Sequence, residues 1–272
     1  MGDFLQFDFE PHNKEESEKL IALLSELGFD GFVEDGMELS AFIHESKFDQ
    51  KEFEKLLEKF AIMAYTQTTI ENINWNKKWE EEYEPVIVGK FVGIRADFHK
   101  PIKNVQYEIV ITPKMSFGTG HHATTSMVMQ LMETVDFKNK KVFDFGTGTG
   151  VLAILAEKLG AASVLAVDND EWSITNALEN CEQNSCTKIA VSPADSVPAG
   201  EQYDVILANI TLNIISANFT SIAAASKPGT KLLLSGFLKS DETAITNAAK
   251  TAGFTKKTVL SKKEWIAVLC EK

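Results

Sequence analysis

A short glycine-rich turn constrains the fold of this chain more than any other stretch of its sequence. The turn runs from Asp144 to Gly150 and reads DFGTGTG; it follows the apolar segment Val142–Phe145 and precedes a helix-forming segment that begins at Val151. A buried strand, a glycine turn and a helix in this order begin a nucleotide-binding α/β unit. Glycine lets a ligand press against bare backbone, and the helix N-terminus offers unpaired N–H groups. We therefore predict a doubly wound α/β domain that binds a ligand at this turn; a glycine-rich turn without a ligand is the alternative.

The spacing of the glycines, and the acid in front of them, separates two classes of ligand. Dinucleotide-binding proteins usually show G-x-G-x-x-G, whereas this turn reads D-x-G-x-G-x-G. The carboxylate of Asp144 would repel a pyrophosphate but suits a ligand that carries an ammonium group. The phosphate-binding pattern G-x-x-x-x-G-K-S/T does not occur in the sequence, which argues against a nucleoside triphosphatase. The turn resembles motif I of the S-adenosylmethionine-dependent methyltransferases, and we predict that Asp144, Gly146 and Gly148 contact S-adenosylmethionine.

Polar residues also follow the other predicted parallel strands. Asp168 ends the strand Ser163–Val167, about 20 residues after the turn, where an acid can accept both ribose hydroxyls; a helix cap in this segment is the alternative. Asp195 follows the third strand and is a candidate for the adenine amino group, while Asn209 follows the apolar fourth strand. Because ligands of such sheets bind at the carboxyl ends of the strands, we expect these residues to converge.

The distribution of charge limits the classes of partner. The net charge is −12, and residues 1–105 hold 22 acidic and 12 basic residues, which gives −10 for this part alone. Arg95 is the only arginine, although phosphate recognition depends on basic patches and bidentate arginines. We therefore expect no extensive or sequence-specific contact with nucleic acid. A cationic protein partner is one interpretation of the acidic surface, and simple solubility is the other.

The cysteines and the apolar segments indicate a cytoplasmic protein. Cys181, Cys186 and Cys270 form an odd and sparse set, which fits a reducing compartment and no disulfide framework. They lack the partners and the spacing of a zinc site. The N-terminus has neither the basic flank nor the apolar centre of a signal peptide, and no apolar run approaches the length of a membrane span.

The first 70 residues predict a small separate domain. Strands at residues 4–9, 32–34, 38–44 and 64–70, with amphipathic helices at 14–27 and 51–60, give the order β-α-β-β-α-β. This order is that of a ferredoxin-like α+β sandwich. No residue in it carries an evident catalytic pattern. We predict that residues 1–70 form a recognition domain ahead of the domain that contains the glycine turn.

Residues 71–105 differ in composition from both neighbours and are predicted to form a structured linker arm. Trp75 and Trp79 stand four residues apart in a polar, charged segment, so that on a helix both rings share one side. Pro85 ends that helix, and Val86–Ala96 reads as two short strands. A flexible tether would not need these features. The ligand-binding domain then comprises residues 106–272.

A second unusual loop precedes the helix predicted at Ser126–Glu133. It contains two glycines, two histidines and three threonines, and the hydroxyls of Thr124 and Thr125 are suited to cap the helix. Adjacent histidines point apart on regular backbone, so His121 and His122 make a poor chelate, and we predict no metal. The alternative role for His122 is to shape the loop through a hydrogen bond.

The combination of these motifs resembles the bacterial ribosomal protein methyltransferase A family, and the resemblance covers nearly the whole chain. The family patterns are F-G-T-G-x-H-x-T-T, the glycine turn, an N-I-L after the fourth strand, and W-x-x-x-W…P…G in the arm; here His121, Ala123 and Thr211 depart from the common residues. The matching stretches are Phe117–Thr125, Asp144–Ile154 and Asn209–Ile210, with Trp75, Trp79, Pro85 and Gly89.

The resemblance implies a function, a cofactor and a partner. It implies a seven-stranded Rossmann-like methyltransferase sheet with one reversed edge strand, and it places Thr125, Gly146 and Asp168 on S-adenosylmethionine. The implied reaction is methyl transfer to lysine side chains, and also to the N-terminal amine, of the large-subunit ribosomal protein L-eleven (L11), with no metal and no membrane. Asn209 is the candidate for positioning the target amine or the amino-acid end of the cofactor; a turn-forming asparagine is the third interpretation.

Two other functions stay open at the level of the sequence. The first is a methyltransferase that acts on a small molecule or on RNA, which the scarcity of arginine and the acidic first half disfavour. The second is a binding protein built on an inactive methyltransferase domain, which the intact glycine turn and Asp168 disfavour.

Overall fold

The computed structural model describes residues 3–60, 64–70, 80, 83–114 and 118–272. The chain divides into two compact units, Met1–Glu82 and Tyr83–Lys272. Trp75, Trp79 and Phe117, which carry part of the family resemblance, lie outside the described residues. Residues 83–105, which the sequence assigns to an arm, are part of the second unit.

The first unit has the predicted ferredoxin-like organisation. Its four strands form one sheet in the order β2-β3-β1-β4, in which every neighbouring pair is antiparallel. The elements are β1 (Phe4–Phe9), α1 (Lys14–Glu26), β2 (Gly31–Asp35), β3 (Glu38–His44), α2 (Gln50–Lys59) and β4 (Thr66–Ile70).

Buried and partly exposed side chains alternate along β1, and the buried ones contribute to the core of this unit. Leu5, Phe7 and Phe9 are buried while the residues between them are partly exposed, as expected of a strand with one face on the core. The Phe7 ring lies 4.7 Å from that of Phe53 in α2. Asn13 and Asp49 cap the two helices by accepting backbone N–H groups, which removes unpaired donors at both N-termini.

The second unit contains a seven-stranded and a three-stranded sheet. Its strands are β5 (Val86–Val88), β6 (Val92–Ala96), β7 (Tyr107–Ile111), β8 (Lys141–Phe145), β9 (Ser163–Asp168), β10 (Ile189–Pro193), β11 (Tyr203–Asn209), β12 (Ser226–Leu238), β13 (Thr255–Lys262) and β14 (Trp265–Glu271). Its helices are α3 (Ala123–Met132), α4 (Val151–Lys158), α5 (Glu171–Gln183), α6 (Leu212–Ala224) and α7 (Glu242–Thr251). Within the described part of the chain, no helix combines the length and the apolarity that a membrane span requires.

The large sheet has the order β10-β9-β8-β11-β12-β14-β13 and confirms the doubly wound prediction. The expectation of a reversed edge strand is wrong in one respect: the reversed strand is β14, which pairs antiparallel with both β12 and β13 and therefore lies inside the sheet. Burial explains the order. Five successive residues of β14 are buried, whereas β13 is mostly exposed and lysine-rich, and lysines protect an open sheet edge against further pairing.

The turn residues Pro228 and Gly229 predict that the fifth parallel strand spans only Lys231–Ser235, and this prediction is the second to need correction. The strand begins earlier, at Ser226, and includes that pair. Its register against β11 changes from Tyr203↔Ser226 to Val205↔Lys231. The proline and glycine thus produce an irregularity inside the strand, because β12 keeps a partner on each side of the turn.

Candidate functional site

A cavity of about 670 Å³ opens at the carboxyl ends of the parallel strands, where ligands of doubly wound sheets bind. Five of the seven residues that the sequence predicts for the cofactor line it together. They are Gly146, Gly148, Asp168, Asp195 and Asn209. They come from four segments that are far apart in the sequence, and the order of β8, β9, β10 and β11 in the sheet brings them to one edge.

The other two predicted residues, Thr125 and Asp144, do not line the cavity. Thr125 is fully buried in the first turn of α3, and its hydroxyl accepts a hydrogen bond from the Asn209 amide nitrogen at 3.2 Å. Asp144 is 1 % exposed, and its Oδ2 accepts a hydrogen bond from the Thr147 hydroxyl at 2.7 Å. Thr125 therefore supports a lining residue, Asn209, whereas Asp144 supports the glycine turn through Thr147.

The glycine turn is held by the neighbouring strand. The backbone N–H groups of Gly146 and Thr147 both donate to the Val167 carbonyl at 2.9 Å. The N–H of Gly148 donates to Oδ2 of Asp168 at 2.9 Å, while Oδ1 accepts the N–H of Asp170 at 3.1 Å. Each carboxylate oxygen has further acceptor capacity, so Asp168 can order the turn and still receive hydroxyl groups of a ligand.

Burial changes the protonation of Asp144. Removal from water and, to a smaller extent, the nearby charge of Asp168 raise its pKa to about 7, against the opposing hydrogen bond from Thr147. The sequence predicts that Asp144 is an ionised carboxylate in direct contact with an ammonium group of the ligand. The structure instead places a half-neutralised acid beneath the turn, because β8 is a central strand covered on both faces.

Replacing Asp144 by Asn is expected to stabilise the protein above neutral pH. The pKa of about 7 exceeds the ordinary 3.8, so between these pH values the folded protein holds a proton that the unfolded chain has released. Stability therefore falls as the pH rises from about 4 to about 7 and stays low above it. The amide removes this cost, which is on the order of 4 kcal/mol at most. Urea unfolding at pH 5 and pH 8 measures it.

The Thr147→Val protein serves as the control for this experiment. It removes the hydrogen bond that opposes the raised pKa of Asp144, so its loss of stability should extend to higher pH. Equal pH dependence in wild type and Asp144→Asn would show that Asp144 is ionised throughout this range.

The loop before α3 is organised by its histidines rather than by its threonines. The predicted caps, Thr124 and Thr125, lie inside the helix, and His122 is the N-cap. Its Nδ1 accepts the N–H of Thr124 at 3.4 Å and lies 2.7 Å from the Thr124 hydroxyl. The prediction that His122 shapes the loop is therefore confirmed, and the helix starts three residues early because the imidazole supplies the cap.

The two histidines point apart. His121 contacts the Thr119 hydroxyl at 3.0 Å and the Glu84 carbonyl at 2.8 Å, whereas the ring of His122 meets that of Trp265 edge-on at 4.6 Å. Among the residues that the structure describes, no group of three His, Cys, Asp or Glu side chains could hold a metal ion.

The amide of Asn209 has the most informative surroundings in the cavity. The side chain is 7 % exposed, and its nitrogen is committed to Thr125. Its Oδ1 atom is buried and has no hydrogen-bond partner among the described residues. A buried acceptor without a partner is costly, so this atom is available for a donor that a ligand or substrate supplies.

Sequence reasoning missed several residues of the site. His122, Asn169, Ile214 and Trp265 line the cavity as well. Trp265 is the first residue of β14, and it reaches the cavity because β14 lies between β12 and β13 in the sheet. Nothing in the local sequence predicts that position. Asn169 directly follows Asp168, and its position after a predicted parallel strand was a usable signal.

A row of asparagines on α5 and at its C-cap was also missed. Asn176, Asn180 and Asn184 stand four residues apart and bond backbone groups of Val110 and Thr112 at the edge of β7. Asn180 also donates to the Thr149 carbonyl in the glycine turn at 2.8 Å. The spacing places all three on one helix face, and this signal was present in the sequence.

Comparison with known proteins gives a consistent result. The family model described as "Ribosomal protein L11 methyltransferase (PrmA)" matches residues 10–272. A relative of this name from Bacteroides fragilis is 36 % identical over an alignment of 269 residues, which covers 96 % of this chain and 96 % of the relative. One from Chlorobaculum tepidum is 38 % identical over an alignment of 266 residues, which covers 93 % of this chain and 92 % of the relative.

A solved structure agrees with these relatives. The ribosomal protein L11 methylase from Lactobacillus delbrueckii subsp. bulgaricus has a TM-score of 0.65 and 28 % sequence identity. The similarity covers 70 % of this chain and 99 % of the solved chain.

Proposed function

Because the chain belongs to the ribosomal protein L11 methyltransferase family, we propose that it transfers methyl groups from S-adenosylmethionine to amines of ribosomal protein L11. The amines are lysine side chains and the N-terminal amine, and a ribosomal substrate places the reaction in the cytoplasm. The observation that carries this proposal is the buried, unpartnered Oδ1 of Asn209, a residue that lines a cavity built on a glycine turn and two strand-end carboxylates.

The residues present suit S-adenosylmethionine, which supplies a methyl group on a positively charged sulfonium. Gly146 and Gly148 leave backbone open to the ligand, and Asp168 has acceptor capacity for two ribose hydroxyls. Asp195 lies at the adjacent strand end and can accept from the adenine amino group. These acids also give the site a negative potential that favours a cationic ligand.

The chain's remaining task is to present a neutral amine in line with the methyl group. A lysine amine has a pKa of about 10.4 in water, and both loss of water and an adjacent positive charge lower it. Oδ1 of Asn209 can accept an N–H of the neutral amine and orient its lone pair, since Thr125 holds the amide nitrogen. Orientation of this kind accelerates a reaction without a dedicated base, and we assign none.

Charge supports a protein substrate over RNA. Residues 1–70 contain 16 acidic and 6 basic residues, so this segment alone carries −10 of the total net charge of −12. Such a surface repels a polyphosphate backbone and attracts a basic protein. We propose residues 1–70 as the domain that recognises the ribosomal protein and residues 106–272 as the catalytic domain.

Unmethylated ribosomes and labelled S-adenosylmethionine test this proposal. We expect label in ribosomal protein L11, and mass spectrometry of its peptides to show methylated lysines and a methylated N-terminus. Calorimetry with S-adenosylmethionine, in parallel, measures binding of the donor, so that binding together with transfer distinguishes an enzyme from an inactive binding protein. Label in ribosomal RNA, or binding of S-adenosylmethionine without transfer to any protein, would contradict the proposed function.

A further inference from the structure

The residue after Asn209 is enclosed by two glycines that come from different strands. Ile210 lies at the carboxyl end of β11, lines the cavity, and packs with its side chain against the core between the sheet and helices α6 and α7. Gly146 approaches it from the glycine turn and Gly236 from β12. The two contacts are of different kinds, and both leave no room for a Cβ atom.

Gly236 meets the backbone of Ile210. A Cβ atom on Gly236 would lie 2.7 Å from the carbonyl carbon of Ile210 and 2.9 Å from its nitrogen, and closer still to its carbonyl oxygen. The register of β12 against β14 shifts at this glycine, between Ser235 and Phe237, and its φ is +98°. A backbone obstacle cannot rotate away as a side chain can, so any other residue here displaces the Ile210 peptide.

Gly146 meets the side chain of the same residue. A Cβ atom on Gly146 would overlap Cγ2 of Ile210. Gly146 therefore contacts the Ile210 side chain and also lines the cavity proposed for the ligand. Contact on two sides fixes both the peptide and the side chain of Ile210, and with them the direction in which the preceding residue leaves β11.

We propose that Ile210 and Gly236 are positioning residues for methyl transfer, which they serve by holding the amide of Asn209 in place. The inference rests on the proposed function, in which Oδ1 of Asn209 receives the target amine. Among the described residues, the Asn209 side chain has one hydrogen bond, to Thr125 at 3.2 Å, so we infer that the backbone after it supplies the remaining constraint. A shift of about 1 Å at a reacting group can cost about 100-fold in rate.

A pair of glycines in the same strand gives a matched test. Gly229 and Gly236 both lie in β12 with φ values of +88° and +98°, but no atom lies within 4 Å of a Cβ on Gly229 among the described residues. Alanine at either position introduces the same backbone strain. We expect both variants to lose thermal stability, and only Gly236→Ala to lose kcat, by about 100-fold, with the KM for ribosomal protein L11 unchanged.

A double-mutant cycle separates positioning from general damage. If Gly236 acts through Asn209, the Gly236→Ala change should have little further effect on kcat in the Asn209→Ala background. Independent, additive losses would overturn the proposal, as would wild-type kcat in folded Gly236→Ala. Should Gly236→Ala not fold, Ile210→Ala decides, because it removes the side chain that rests on Gly146 without creating a clash.

The outcomes also distinguish this inference from the function on which it rests. We expect Ile210→Ala to lower kcat and to show the same non-additivity with Asn209→Ala; a wild-type rate in this variant would overturn the positioning role alone. Failure of the wild-type enzyme to methylate any ribosomal protein would overturn the proposed function, and the inference with it.

Discussion

Asn209→Ala is expected to reduce kcat for methylation of ribosomal protein L11 by roughly 10²–10³-fold, the range for loss of one oriented polar group in an active site. The buried Oδ1 has no partner among the described residues, so its proposed partner is the incoming amine. Without it the amine can still enter, but its lone pair is no longer directed at the methyl group. The lost hydrogen bond to Thr125 costs about 1 kcal/mol of stability.

Asn176→Ala is a closely matched control. Asn176 is fully buried, its Oδ1 also lacks a hydrogen-bond partner among the described residues, and its nitrogen makes one bond, to the Thr112 carbonyl at 3.1 Å. It does not line the cavity. The two variants should therefore lose similar stability in urea unfolding, and only Asn209→Ala should lose activity.

Calorimetry decides between the two roles considered for Asn209. If the amide holds the target amine, affinity for S-adenosylmethionine stays near that of the wild type while kcat falls. If it holds the amino-acid end of the methyl donor, affinity falls together with activity. Near-normal turnover of Asn209→Ala in the labelled-methyl assay would remove the residue from both roles.

The parts of the site that local sequence determines were predictable. Gly146, Gly148 and Asp168 each follow a strand whose apolar residues mark it as buried, and a parallel sheet brings such strand ends to one edge whatever the length of the intervening helix. Asn209 follows the same logic. A separate first domain was also predicted, from the β-α-β-β-α-β order of residues 1–70, although the structure divides the chain after Glu82 and gives residues 83–105 to the second unit.

The errors have a common physical cause, because each depends on a partner distant in sequence. Asp144 stands before the glycine turn like a ligand residue, but it is buried because β8 is a central strand that is covered on both faces. The position of β14 depends on competition between two hairpin strands for the interior of the sheet, and burial of the more apolar one decides it. Trp265 enters the cavity only as a consequence of that outcome.

The contacts around Ile210 belong to the same class. The sequence shows a glycine at 236 and an apolar residue after Asn209, but it does not show that the two meet. The meeting requires β11 and β12 to be neighbours in register, with Asn209 opposite Ser235. Glycines in strands often mark close approach of another backbone. The glycine at 236 therefore predicts a close contact, but it does not identify Ile210 as the residue that makes it.

Deletion of residues 1–70 is expected to abolish methylation of ribosomal protein L11 while binding of S-adenosylmethionine persists. The aromatic core of the first unit and the two cores of the second share no residue within the described chain, so the second unit should fold without the first. The deleted segment carries a net charge of −10, which makes it the part of the chain with the strongest attraction for a basic protein.

Two measurements separate loss of recognition from loss of the catalytic site. Calorimetry should give the truncated enzyme the wild-type affinity for S-adenosylmethionine, because every residue that lines the cavity lies between His122 and Trp265. A short lysine peptide at high concentration should be methylated equally slowly by both enzymes, since it makes no use of the recognition domain. Full activity of the truncated enzyme on ribosomal protein L11 would contradict a recognition role for residues 1–70. Loss of cofactor binding would instead show that the two units depend on each other to fold.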